Sequence, residues 1–203
     1  EQPYGHFGVT KITLSNGIEV FVKPTTYAND QITMRLWGEG GLSLCPEKDA
    51  PNFAFLPSAI IDGGVGTFSS DRLDKMLAGK HVRVSPFVGQ ETQGISGQSN
   101  GRDLRTMMQL AYLYFTAPRK DTIAFAASMD RRRSMLKNRN ANPQVEYNDS
   151  MSIIVYGNNE RTAPFTLDRL SKVSYDRILQ LYRERFADAT GFKMLLGGNV
   201  NID

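Results

Sequence analysis

The 203-residue chain holds one cysteine, Cys45, and only two histidines, His6 and His81. A single cysteine excludes an intrachain disulfide and leaves the redox compartment open. In the loop-like Leu44-Cys45-Pro46 the thiol has no histidine nearby in sequence to act as its base, so it reads as a small, semi-buried side chain. A zinc ion needs at least three converging ligands, and two histidines far apart in sequence do not supply them. Both read as surface or strand residues. Asp49, Asp62, Asp71 and Asp74 are spaced as helix caps and solvated positions, not as an acid–base pair. No apolar run approaches the roughly 18–20 residues that cross a bilayer. The opening EQPYGHFGVTK lacks a charged-then-apolar leader, and the expectation is a piece of a longer chain. Charge of one sign is scarce too: 24 basic residues against 21 acidic leave +3, scattered along the chain. Nucleic-acid binders concentrate basic charge on one face, so neither a nucleic-acid partner nor a membrane span is expected.

Core-forming residues are plentiful. With 40% hydrophobic residues, a chain this long buries roughly 70–75% of its unfolded surface. Lys11–Leu14 and Ile18–Lys23 flank Asn16-Gly17, a hairpin signal because both residues tolerate positive φ. Gln31–Trp37 alternates Ile32, Met34 and Leu36 with polar neighbours, as a half-buried strand does. A helix is expected within Asn52–Asp62, with Phe53, Leu56, Ala59 and Ile60 inward. Pro57 either starts it near Leu56 or kinks it. A second helix starts at Ser69 or Ser70 as N-cap, turns Leu73, Met76 and Leu77 inward and ends at Gly79. Strands follow at His81–Val88 and, more weakly, Thr92–Ser99.

Asn100 is the expected cap of a helix with the stripe Leu104, Met107, Met108, Ala111 and Phe115, stopped by Pro118. Helices over Asp121–Asn138 (Phe125, Met129 and Leu136 on one side), Pro143–Tyr156 and Tyr175–Phe186 come next, with a loop at Gly157–Pro164. Phe192–Leu196 closes as a strand placed beside those of the first forty residues. Met194 and Leu196 reach its apolar face, or Phe192 and Leu195 if a bulge shifts the register. The pattern is α+β: a two-layer fold with one mostly antiparallel sheet and helices packed on one face.

Several motifs lead nowhere. Gly63-Gly64-Val65-Gly66 lacks the strand and the Lys-Ser/Thr of a phosphate loop and reads as helix termination. Arg131-Arg132-Arg133 spans most of a helix circumference and reads as a solvated helix end rather than a docking patch for an acidic partner. Asn148-Asp149-Ser150 matches a glycosylation sequon too short to carry weight.

Three segments in order resemble the pitrilysin/insulinase (inverzincin) family of zinc peptidases: LSNGIEVFVKP, ITMRLWGEGGLS, and the stretch from YGNNERTAPF to GFKMLLGGNVN. The resemblance covers Thr13 to Val200. It implies residues 1–10 as an N-terminal extension or linker and 11–203 as a single peptidase-like domain. Active members carry H-x-x-E-H on the first long helix, with zinc held by the histidines and water activated by the glutamate. By position that motif falls on Phe55-Leu56-Pro57-Ser58-Ala59, and the third ligand falls within Asp130–Met135. Apart from Asp130, a shorter substitute for the glutamate, that segment holds three arginines, Ser134 and Met135, and no histidine accompanies it.

The resemblance therefore implies a degenerate domain with no catalytic, cofactor-binding or metal-binding residue of its own. The wording of ERFAD and NGIEVFVKP is similar to the first domain of the C-terminal half of a large bacterial enzyme. The implied role is a non-catalytic scaffold in a zinc metalloendopeptidase, part of a peptide-enclosing chamber that supports the active half. Zinc would sit in the catalytic domain of the parent chain. Implied partners are the other domains of that chain and the peptide substrate. A periplasmic or secreted location goes with the family, while the sequence itself leaves the compartment open. The alternatives are a structural core subunit or a peptide-binding interaction domain with no peptidase partner.

Overall fold

The computed structural model describes residues 2–4, 7–139, 142–157 and 159–200. Seven strands and seven α-helices are found among them: β1 Gln2–Tyr4, β2 Val9–Thr13, β3 Glu19–Pro24, β4 Ile32–Glu39, α1 Ala50–Gly63, α2 Ser70–Leu77, β5 Val82–Val88, β6 Thr92–Ser99, α3 Leu104–Thr116, α4 Thr122–Lys137, α5 Pro143–Tyr156, α6 Leu167–Ser171, α7 Tyr175–Phe186 and β7 Lys193–Gly198. The sheet runs in the order β1-β2-β3-β7-β4-β6-β5, and every neighbouring pair is antiparallel except β3 with β7. The expected α+β architecture is the one found.

The closing strand β7 lies between β3 and β4, pairing Val20 with Met194 on one side and Leu36 with Met194 on the other. Met194 is buried and Leu195 is exposed, so the register is the one without a bulge. Ile32, Met34 and Leu36 of β4 bury on the face under α1 and α3, while Thr33 and Arg35 stay exposed on the other. That second face is open and carries Arg35 over the Phe87 ring at 4.4 Å and Tyr4 edge-on to Phe21 at 5.1 Å. In the segment 1–10, Gln2–Tyr4 extends the sheet by pairing with Val9–Lys11.

Glycine in β6 has a steric reason. A Cβ at Gly97 would come within 2.9 Å of Met107 Sδ and Met34 Cε, so the absent side chain leaves the space that these two methionines fill between α3 and the sheet. At the hairpin, Gly17 takes φ 85°, as its Asn-Gly turn requires.

Four local expectations need correction. Pro57 neither starts nor breaks α1: the helix runs unbroken from Ala50 to Gly63, with Pro51 in its first turn and Pro57 on its half-buried side. Asn100 caps a turn and not the helix. Its Oδ1 accepts from Asp103 N–H at 2.8 Å, and α3 begins only at Leu104. The stripe of α3 also includes buried Leu110 and Tyr114, whose hydroxyl is pushed up to about 12 by burial. Met76 points outward, because the eight-residue α2 turns only Leu73 fully into the core. Ser69 is the cap of α2, its side chain accepting from Arg72 N–H.

Candidate functional site

The five residues on which the family resemblance places a metallopeptidase motif, Phe55–Ala59, sit in the middle of α1, at the heart of the helical layer. Phe55, Leu56 and Ala59 are fully buried, and Ser58 turns its hydroxyl back to donate to the Phe55 carbonyl at 2.9 Å. Around Phe55 the fold has built an aromatic cluster. Phe125 of α4 meets it edge-on with ring centres 6.1 Å apart, Phe165 leans against it at 6.3 Å, and Tyr175 of α7 stacks on Phe125 at 4.2 Å.

The segment Asp130–Met135, where the resemblance implies a third ligand, lies on α4, which packs against α1. From it the Arg132 guanidinium reaches over the Phe55 ring at 4.9 Å, a cation–π contact. The two segments that would share a metal in an active member are thus neighbours here, and an arginine and a phenylalanine meet across the gap. Asp130 is exposed on α4 and pairs with Arg133 at 2.5 Å instead of turning toward α1. Arginine has no lone pair to give a metal, and the Phe-Leu-Pro-Ser-Ala set offers one hydroxyl already in use. These residues do not fit a zinc ion, and no hydrolytic step is derived through one.

The helices around this spot are tied by buried polar contacts. Asp49, at the N-terminal end of α1, accepts two bonds from Arg177 of α7, at 3.0 and 2.7 Å. The Arg177 side chain holds the Asp49 carboxyl below the usual carboxylate range. Asp49 stands at the N-cap position of α1, as its spacing suggests, but its side chain makes no capping bond and is a buried ion-pair partner, not a solvated one. Three residues on, Asn52 accepts from Ser174 N–H at 2.8 Å. At the other end of α1, the Arg119 side chain donates to the Gly63 carbonyl at 3.1 Å and to Asp121 at 2.5 Å. A Cβ at Gly63 would lie 2.4 Å from the Arg119 carbonyl oxygen, so the close approach needs glycine.

The remaining candidates are dispersed. Cys45 is buried, not semi-buried, and burial pushes its thiol up to about 11, the opposite of a nucleophile. His81 is exposed at the head of β5, its N–H donating to Asp103 at 2.8 Å, and His6 lies outside the described residues. Asp71 and Asp74 are exposed and Asp62 half-buried. Among the described residues no three His, Cys, Asp or Glu side chains gather as a metal site, and no helix is long and apolar enough to cross a membrane. A polar cavity of about 490 Å³ lined by Asp30, His81 and Arg83, and an apolar groove of about 640 Å³ between α2 and α3, both lie away from Phe55–Ala59.

A seven-stranded, mostly antiparallel sheet carries one helical layer, and the two helix segments on which the resemblance places a zinc site lie side by side without a histidine or a glutamate. The comparisons with known proteins agree. The chain is 26% identical over 201 residues to a zinc protease PQQL-like protein of Arabidopsis thaliana, covering 98% of this chain and 18% of that protein. Its fold is similar to the periplasmic protease PqqL from Escherichia coli, with TM-score 0.78, 20% identity, and coverage of 99% of this chain and 22% of that one. It is also similar to a peptidase M16 inactive domain from Pseudomonas fluorescens, with TM-score 0.74, 13% identity, and coverage of 95% and 47%. No protein-family model matches the sequence. The chain thus spans about a fifth of the length of the Arabidopsis and Escherichia coli proteins, and the likeness extends over nearly its whole length.

Proposed function

We propose that this chain is a non-catalytic scaffold domain of a larger zinc metalloendopeptidase of the pitrilysin/insulinase kind, placed in the C-terminal half of the polypeptide. Its role is to form part of the wall enclosing a peptide and to support a separate, zinc-bearing half. One observation carries the reading: within a fold shared with zinc proteases, the two helix segments that would bear ligands are joined by the Phe55–Arg132 contact and an aromatic core. That packing makes this α1–α4 crossing a structural joint. Zinc belongs to another domain of the same polypeptide, and a periplasmic or secreted location follows from the same analogy.

The test compares the 203-residue chain with the full polypeptide that carries it. Metal analysis after dialysis is expected to find about one zinc in the full polypeptide and none in the chain alone. Hydrolysis of a quenched fluorescent peptide library, stopped by a chelator, is expected only of the full polypeptide. Stoichiometric zinc or chelator-sensitive turnover in the isolated chain would defeat the non-catalytic assignment. Their absence from the full polypeptide would defeat the peptidase assignment.

A further inference from the structure

Helix α5 carries apolar side chains around its circumference and buries none of them. Its less exposed residues are Val145, Asp149 and Ser152, one turn apart on the face toward the domain. That face is held by polar bonds: Arg139 pairs with Asp149 at 2.6 Å, and Ser152 donates to the Thr162 carbonyl at 3.4 Å. The opposite face carries Tyr147, Met151 and Ile154 at the i, i+4, i+7 spacing of a buried stripe, flanked by Val155. All four are exposed, Ile154 at 75% of its maximum, and no residue of the helix is buried. Among the described helices α5 alone has no buried residue.

Such a stripe calls for cover, because folded surfaces rarely leave contiguous apolar patches larger than roughly a few hundred Å² open to water. The residues beside it are uncharged on one side (Gln144 and Asn148, bonded to each other) and include only Glu146 on the other. The helix has no Lys or Arg from Pro143 to Tyr156. A helix built for a lipid surface carries cations on its polar face, which argues against a membrane as the occupant. A surface without charge steering also suits a permanent contact better than a diffusive one. The similar zinc proteases are about five times as long as this chain, so most of such a polypeptide lies outside it and can supply the cover.

We infer that the Tyr147–Met151–Ile154 face of α5 is a permanent docking surface for an apolar, uncharged face of another domain of the same polypeptide. The inference rests on the proposed function for the existence of that domain. The covering element is expected to pack its own apolar ridge along the stripe at the ordinary interhelical distance of about 8–10 Å if it is a helix.

The experiment introduces one thiol by Ile154→Cys, and separately by Met151→Cys, in the 203-residue chain and in the full polypeptide. Cys45 is buried and remains a quiet background. Maleimide labelling under native conditions is expected to be at least ten-fold slower in the full polypeptide than in the chain alone. Equal rates at both positions would overturn the inference. The isolated chain is expected to sediment as a monomer, and a dimer dissolved by Ile154→Asp would hand the face to a second copy and overturn it too. Flotation of the chain with anionic vesicles, lost in Ile154→Asp, would assign the face to lipid with the same consequence. Zinc content and peptidase activity read on the same full polypeptide keep the two readings apart. Protected thiols without zinc leave the docking standing and remove the peptidase assignment, and reactive thiols with zinc do the reverse.

Discussion

Helices α1 and α5 are each fourteen residues long, and both begin with a proline in the first turn. In α1 nine residues are buried and in α5 none. Both carry apolar side chains, so composition does not separate them. Position does: α1 is enclosed by α4, α7 and β5, while α5 meets the domain through Asp149 and Ser152. The comparison teaches that an apolar helix enclosed by its neighbours becomes core, whereas one held to the domain by polar bonds leaves its apolar side in water.

That contrast can be broken at several points. The largest effect is expected from removing Gly191–Asp203, which takes out β7 and leaves β3 and β4 unpaired on facing edges. The truncated chain should be insoluble or molten, since the lost burial is comparable with the roughly 5–15 kcal/mol that hold a domain together. A sharp thermal transition near that of the parent would show the strand to be peripheral. Next, Phe55→Ala empties the centre of the aromatic cluster and should cost about 3–5 kcal/mol in urea unfolding. A loss near zero would mean that the α1–α4 crossing is not the joint described.

A smaller effect, about 1–2 kcal/mol, is expected for Asp49→Asn, since Arg177 loses a charged partner but the site keeps a hydrogen-bond acceptor. Its pH dependence fixes the sign. The Asp49 carboxyl titrates below its ordinary value when folded, so its contribution is complete above about pH 4, near the ordinary aspartate value, and is lost as pH falls through the lower folded value. Asp49→Asn should therefore flatten the acid side of the stability curve, and an unchanged acid slope would show that the pair is not coupled to folding. The smallest effect belongs to Ile154→Asp in the isolated chain, within about 0.5 kcal/mol because the side chain is already in water. A large loss there would mean that α5 packs against its own domain.

The sequence was most readable where one residue type has one cause. Asn16-Gly17 marks a hairpin because of φ, and the alternation of Ile32, Met34 and Leu36 marks a half-buried strand. Helix α5 was also bounded correctly at both ends, with Asn142 as its cap and left-handed Gly157 after it. Boundaries failed where two capping residues compete. Asn100 and Asp103 both suit the start of α3, and the first caps a turn instead. Pro57 misled because proline's cost in a helix is set by what surrounds it, and α1 is held from both ends by Asp49–Arg177 and Arg119–Gly63. The place where a zinc motif would fall was legible only through family resemblance. That Arg132 would lie on Phe55 was not, because the contact depends on how two helices some seventy-five residues apart cross. The outward face of α5 was hidden for the same reason, since its apolar residues lie all round the helix and only the packing says which side looks in.

The place of β7 also dictates an order of events when the polypeptide emerges from the ribosome. Glu19 pairs with Lys193, and the two halves of the sheet, β1-β2-β3 and β4-β6-β5, touch through this last strand alone. Until Lys193–Gly198 has emerged, each half presents an unfinished strand edge, β3 on one and β4 on the other. Long-range pairing of this kind folds slowly, because a large loop must close before any contact rewards it. The nascent domain is then two separate sheets with open edges, the form in which it is most exposed to mispairing with a neighbouring chain and most dependent on a chaperone that shields strands.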